Sequence, residues 1–108
     1  MIDPQLKRGL LEICVLAVLN RSDSYGYKIV QDLQGHVSIS ESTLYPILRR
    51  LEASGALTEY SVAHNGRLRK FYRITASGRS QISDFIRNWG EVEKMYEFIK
   101  EGYGDGQK

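Results

Sequence analysis

Residues 40 to 75 constrain this chain more than any other stretch, because they set a helical repeat directly before a two-residue repeat. Within Ser40–Glu52, Leu44, Ile47, Leu48 and Leu51 recur at i, i+3, i+4 and i+7. That spacing gathers four apolar side chains into one stripe of an α-helix. At about 100° per residue, Ser42, Pro46, Arg49 and Ala53 fall on the opposite side, with Tyr45 at its shoulder. Two partly alternating segments then flank Asn65-Gly66, a pair whose tolerance of positive φ suits a two-residue hairpin turn. Arg67, Arg69, Lys70 and Arg73 follow within seven residues, with no acidic neighbour. An amphipathic helix followed by a basic hairpin predicts a winged helix-turn-helix. The helix's outward hydroxyl, aromatic and guanidinium groups suit a DNA groove.

The other segments fit around this pair. Pro4 to Leu19 predicts a first helix, with proline near its start, where a missing N–H costs least. Leu6, Leu10, Ile13 and Ala17 line one side, while Leu11, Cys14, Val15, Val18 and Leu19 cover much of the rest. A helix apolar on more than one face needs more than one cover, and in so small a domain a second subunit is the natural second one. Ser22, Asp23 and Ser24 each suit the N-cap of a second helix over residues 25–34, and Gly35 suits its end. Val37 and Ile39 alternate with polar neighbours over a span that allows only a very short strand. Ser38 or Ser40 caps the third helix, which ends at Gly55 with Pro46 in its early turns. Hairpin strands are expected over residues 56–63 and 69–75. Leu57, Val62, Phe71 and Ile74 fit no single alternation, so the register stays open.

After Thr75 a long helix is expected from Ala76 to Lys100. Ile82, Phe85, Trp89, Val92, Tyr96, Ile99 and Tyr103 follow each other by three and four residues in turn, an a/d seam over three heptads. Such a seam fits dimerisation, since a winged-helix core has little apolar surface left to receive it. The expected organisation is a DNA-binding domain over residues 1–75, its first helix also in the dimer interface. A dimerisation helix follows over 76–101, then a flexible tail over 102–108. The class is mainly α with a small β-hairpin, an α+β winged helix-turn-helix with a long C-terminal dimerisation helix.

Net charge is only +2, but it is unevenly placed. Residues 1–75 hold ten Lys and Arg against seven Asp and Glu, and residues 76–108 hold five against six. Phosphate would therefore be expected to meet the first part of the chain. The lone Cys14 cannot form an internal disulfide and fits a small buried side chain in a reducing compartment. The longest apolar run, Ile13 to Leu19, is too short for a bilayer, and a soluble, cytoplasmic protein is expected. His36 and His64 are far apart, and neither a second thiol, a nucleophile elbow nor a glycine-rich phosphate loop is present. No enzyme activity, metal or cofactor is therefore expected.

Three blocks occur in a telling order. They are Tyr25-Gly26-Tyr27-Lys28-Ile29, the run Thr43-Leu44-Tyr45-Pro46-Ile47-Leu48-Arg49-Arg50-Leu51-Glu52 with Gly55, and Gly66-Arg67-Leu68-Arg69-Lys70-Phe71-Tyr72-Arg73-Ile74-Thr75 with Gly78. Together they resemble the PadR-type transcriptional regulators, a family of dimeric winged-helix proteins, at its helix, recognition-helix and wing positions. The single C-terminal helix resembles the smaller subfamily. Trp89 is placed similarly to a tryptophan lining a drug pocket at the dimer centre of multidrug-sensing members. That resemblance implies a small planar aromatic effector held by Phe85, Trp89 and Val92; simple filling of the seam explains the same residue.

Arg67, Arg69 and Lys70 on the wing, helped by Lys28, would supply non-specific attraction to double-stranded DNA. Tyr25 and Tyr45 either donate hydroxyls to phosphates or pack between the second and third helices; Tyr27 is expected to pack. Ser42, Thr43 and Arg49 are the candidate groove contacts, a bidentate arginine–guanine pair contributing about 1–3 kcal/mol of discrimination. Arg50 should face solvent or pair with a nearby acid. The dimer interface is assigned to Leu6 and Leu10 with Ile82, Phe85, Trp89, Val92, Tyr96 and Ile99. The expected function is a ligand-responsive, homodimeric repressor on a pseudo-palindromic operator. The alternative is a winged-helix protein-interaction module without sequence-specific DNA binding, for which the wing's clustered charge is unnecessary.

Overall fold

The apolar stripe of the central helix is buried as its spacing requires, and the other elements close around it. The computed structural model describes residues 2–106. In order they form α1 (Pro4–Arg21), α2 (Gly26–Leu33), α3 (Glu41–Ala53), β1 (Leu57–His64), β2 (Arg67–Ile74) and α4 (Ala76–Gly106). Leu44, Ile47, Leu48 and Leu51 of α3 meet Leu11, Val15, Leu16 and Leu19 of α1, Ile29 and Leu33 of α2, and Ala56, Leu57, Tyr72 and Ile74 around the hairpin. Removing each such leucine or isoleucine from water contributes about 1.5–3 kcal/mol. An ion pair from Arg50 Nε to Glu12 Oε2, 2.8 Å long, ties α3 to α1 across the edge of this core.

The helix starts follow capping chemistry. The Asp3 carboxylate accepts from the amides of Gln5 and Leu6, with Pro4 as the first helical residue of α1. Ser40, not Ser38, caps α3, its Oγ accepting from the Thr43 amide at 3.2 Å. The start of α2 differs from expectation. Its N-cap position is Tyr25, with no side-chain cap, and none of Ser22, Asp23 or Ser24 serves. Those residues are otherwise engaged: Ser24 exchanges backbone hydrogen bonds with Tyr72 of β2, and the Asp23 carboxylate accepts from Tyr60 and Arg73. This polar segment thus meets the hairpin through a single isolated bridge at Ser24, beside a two-stranded sheet. The short strand expected near Val37 and Ile39 is absent; both side chains simply lie half-buried on the core from an irregular loop.

The hairpin register is now defined. Leu57 pairs with Ile74, Tyr60 with Phe71 and His64 with Arg67, closing on Asn65 and Gly66 with φ of 50° and 78°. Two successive positive φ values are what a primed two-residue turn needs. Side chains alternate faces along each strand, so Leu57, Tyr72 and Ile74 turn inward while Tyr60 and Phe71 occupy the outer face. Apolar groups lie on both faces, which is why no single alternation fitted.

Helix α4 continues past Lys100, through Gly102 and Gly104, to Gly106; Gln107 and Lys108 lie outside the described residues. Extending an existing helix adds one hydrogen bond per residue, so the glycines do not stop it. Thr75 anchors its start, its Oγ1 donating to the Gly55 carbonyl and accepting from the Gly78 amide. Only the first turns of α4 meet the body. Ile82 packs on the core, and every residue from Glu91 through Gly104 is exposed. This projecting helix accounts for the 66 Å long axis, against 26 and 22 Å for the others.

One close approach fixes α2 against α3. A Cβ on Gly26 would lie 2.6 Å from Tyr45 Oη and 3.0 Å from its Cζ. Gly26→Ala should therefore destabilise the protein by about 1–2 kcal/mol, at the low end of overpacking because Tyr45, 39% exposed, can swing aside. In a Tyr45→Ala background the same change should be neutral or stabilising, since alanine is the better helix former. Urea unfolding of the four proteins at one concentration measures this; equal penalties in both backgrounds would show that Tyr45 is not the obstacle.

Candidate nucleic-acid interface

The exposed side of α3 opens into a cleft of about 650 Å³ bounded by the N-terminus of α2 and the hairpin. Tyr25, Gly26 and Tyr27 form one wall, Glu41, Tyr45, Arg49 and Glu52 line the α3 side, and Glu59, Arg69, Lys70 and Tyr72 come from the hairpin. Five of the nine candidate DNA-contacting residues border or face it in this way: Tyr25, Tyr45, Arg49, Arg69 and Lys70 belong to the cleft. Ser42 and Thr43 sit at the mouth of α3, where Ser40, Ser42 and Thr43 hydroxyls cluster within 2.9–3.2 Å. Arg67 lies farther out, by the turn at the wing tip, beside His64, Asn65 and Leu68. Lys28 is on the exposed side of α2 and pairs with Asp32 at 3.1 Å.

The strand alternation divides the basic cluster. Lys70 shares a face with Tyr72 and turns toward α3, where it meets Glu59 at 3.5 Å. Arg67, Arg69 and Arg73 share the other face. Arg73 is held by Asp23 at 3.0 Å and lies over the Tyr60 ring. Among the described residues, no carboxylate pairs with Arg49, Arg67 or Arg69. These three guanidinium groups remain available to an anion.

The tyrosines do not behave alike. Tyr45 donates its hydroxyl to Glu41 Oε1 at 3.1 Å, one turn earlier in α3, and packs over Gly26. Its pKa is raised, first by burial and then by that carboxylate. Tyr25 is half-buried on the hairpin's outer face. Tyr27, expected to pack between helices, is instead 55% exposed at the cleft wall, because Ile29 and Leu33 supply the buried face of α2. At the cleft floor Tyr72 is buried, and desolvation together with Glu59, Tyr45 and Glu52 pushes its pKa up to about 12.

Three carboxylates in the cleft escaped the sequence reading. Glu41, Glu52 and Glu59 are scattered along the chain and converge only through the packing of α3 on β1. The pKa of Glu52 is raised by burial and by the charge of Glu59, with Lys70 acting against them. A partner reaching this cleft therefore meets mixed charge, three carboxylates beside Arg49, Arg69 and Lys70.

Residues 15–84 match the Transcriptional regulator PadR-like family, which is well over half of the chain. The chain belongs to the PadR-like family of transcriptional regulators. The transcriptional regulator Rv3488 of Mycobacterium tuberculosis is 32% identical over 91 residues, covering 83% of this chain and 85% of the relative. The crystal structure of smu.1704 from Streptococcus mutans is 41% identical, with a TM-score of 0.77 over 88% of this chain and 90% of that one. Bacillus subtilis PadR, solved in complex with operator DNA, has a TM-score of 0.68 over 71% of this chain and 46% of its own. At 24% identity that last likeness bears on the fold alone. The PadR-like winged helix with a long C-terminal helix is thus the architecture of this chain, and the family is one of regulators, not enzymes.

Beyond the cleft, a second surface stands out. Leu6 is 45% exposed and Leu10 half-buried on α1, on the side away from its core residues. On α4, Val92, Tyr96, Ile99 and Tyr103 are 41–72% exposed along the heptad seam, and Met95 and Phe98 widen it. Phe85 and Trp89 are half-buried, their rings stacked at 5.5 Å and 16°. No helix among the described residues is long and apolar enough to cross a membrane.

Proposed function

We propose that this PadR-family regulator is a homodimeric repressor that binds a pseudo-palindromic duplex through α3 and the wing. The observation that carries the reading is the convergence of Arg49 on α3 with Arg69 and Lys70 of the hairpin around one cleft. In this reading α3 enters the major groove, where Arg49 reads a base and Ser42 and Thr43 contact the groove at its N-terminal end. Arg67, Arg69, Lys70 and Lys28 meet phosphates, and Tyr25 and Tyr45 border the same contact. Membership in a family of transcriptional regulators is in keeping with this mode of action. Arg67→Ala and Lys70→Ala should weaken binding to all duplexes alike and each lower the salt slope by about one. Arg49→Ala should instead relax preference at one base position, worth about 1–3 kcal/mol. Fluorescence anisotropy against the DNA upstream of the gene measures all three. Unaltered binding in every variant would discard the docking mode.

The exposed seam supports the dimer. Seven apolar side chains at three- and four-residue spacing lie along α4, and among the described residues only Ile82 of the seven packs on the core, so the other six suit a second copy of α4. Leu6 and Leu10, exposed or half-buried on α1, are assigned to the same interface. Changing Val92 and Tyr96 together to glutamate would bury unpaired charge at the seam and should convert the dimer to monomer or unfold it. Sedimentation of a folded, monomeric wild-type protein at micromolar concentration would refute the assembly.

The stacked Phe85 and Trp89, with Val92 one turn on, support a planar aromatic effector at the dimer axis. One face of the indole already has an aromatic neighbour, and a flat ligand would take the other. Trp89 is the chain's single tryptophan, so its fluorescence reports directly. Saturable quenching by planar aromatic dyes is expected, and dye binding followed by the anisotropy of the dye's own fluorescence should be lost in Trp89→Ala; dye affinity unchanged in that variant would leave Trp89 as packing.

A further inference from the structure

The outer face of the hairpin carries a chain of ring contacts that no part of the reading above uses. Tyr25 meets Phe71 edge-on, with ring centres 5.3 Å apart and planes at 61°. Phe71 stacks on Tyr60 at 5.7 Å and 21°, and the Tyr60 hydroxyl donates to Asp23 Oδ2 at 2.7 Å. Tyr60 and Phe71 are cross-strand partners in the hairpin, and Tyr25 follows the bridge residue Ser24, so the row is held by backbone pairing as well as by ring contacts. An arginine lies on each end of it. The Cζ of Arg73 is 4.9 Å from the Tyr60 ring centre, and that of Arg69 is 4.2 Å from the Tyr25 ring centre.

The two ends differ in charge balance. Arg73 is neutralised by Asp23, whereas no carboxylate among the described residues pairs with Arg69. Arg69 and Tyr25 both border the cleft beside α3, and Arg69 is half-buried despite its charge. A guanidinium whose carbon sits over a ring can keep N–H groups at its edge free for phosphate oxygens. Its rotamers are already restricted, so less freedom is lost when the anion arrives.

We propose that Tyr25 is a positioning residue for DNA binding, whose ring, braced by Phe71, holds Arg69 at the mouth of the cleft ready for a phosphate. This rests on the DNA-binding reading and changes the role of Tyr25 within it, from a hydroxyl that touches the backbone to a platform that does not. The hydroxyl is dispensable and the ring is not.

Anisotropy titrations of the full-length protein with a fluorescein-labelled duplex of mixed sequence test this, because a phosphate contact needs no operator. Arg69→Ala should weaken binding and lower the salt slope by about one. Tyr25→Leu should weaken binding about two- to fivefold, the size of an exposed cation–π contact, while Tyr25→Phe should leave it unchanged. In the Arg69→Ala background, Tyr25→Leu should add nothing. Arg69→Lys, which leaves the ring row intact and cannot unfold it, should lose affinity although the charge is kept. A loss in Tyr25→Phe equal to that in Tyr25→Leu would assign the contact to the hydroxyl and overturn the proposal. So would additive losses in the double variant. If Lys70→Ala weakens binding but the Arg69 and Tyr25 variants do not, DNA binding stands and this proposal falls. If none of them matters, both fall together.

Discussion

Burial of the Leu44, Ile47, Leu48 and Leu51 stripe is the constraint from which the rest of this molecule follows. All four side chains are at most 3% exposed, and they meet α1, α2 and the hairpin together. A rotation of α3 about its axis by one residue would bring Tyr45 or Glu52 into the core and expose two leucines. The desolvation of a carboxylate alone makes that rotation prohibitive. The outward face is thereby fixed without being specified in its own right. Arg49 and Ser42 point away because the leucines must point in.

This is also why α3 could be read from the chain, and why its surroundings could not. A four-residue apolar stripe and an Asn65-Gly66 turn are local signals with strict geometry. The segment at Ser24 has no such signal. Its three polar residues look like helix caps until β2 is present to pair with, and a cap and a strand make the same use of a serine or aspartate. The register of the hairpin was hidden for a related reason. Both faces of the ribbon carry aromatic residues, one against the core and one against Tyr25, so the pattern that usually separates inside from outside was blurred. The acids of the cleft were invisible because they come from residues 41, 52 and 59, which only the tertiary packing unites.

Charge counted along the chain overstates what the wing presents. Of the four clustered cations, Arg73 is committed to Asp23 and Lys70 meets Glu59. Both pairs are exposed at the surface, where such contacts contribute about 0–1 kcal/mol, so breaking the Lys70 pair for a phosphate would cost little. Arg73 differs in having a ring beneath it as well as an acid beside it. It serves the sheet: its pair with Asp23 ties the segment that bridges at Ser24 to β2, two residues before Tyr25. In the proposed reading Arg69 and Arg73 thus have opposite duties, and only the partner of each side chain, not its sequence context, tells them apart.

Helix α1 connects the two proposed working surfaces. It packs against α2, α3, β2 and α4, and it also offers Leu6 and Leu10 toward the proposed partner. Its ion pair with Arg50 and its buried residues Leu11, Val15, Leu16 and Leu19 make α1 and α3 one rigid piece. In the proposed dimer, the distance between the two copies of α3 is then set almost entirely at the seam, because no soft element lies between them. A ligand that altered the crossing of the two α4 helices near Trp89 would be felt as a change in the spacing of the recognition helices. Paired helices in successive major grooves of a pseudo-palindrome, which puts half-sites about one helical turn apart, tolerate little such change. Regulation would thus need no conformational change inside the winged helix, whose tight core is poorly suited to one.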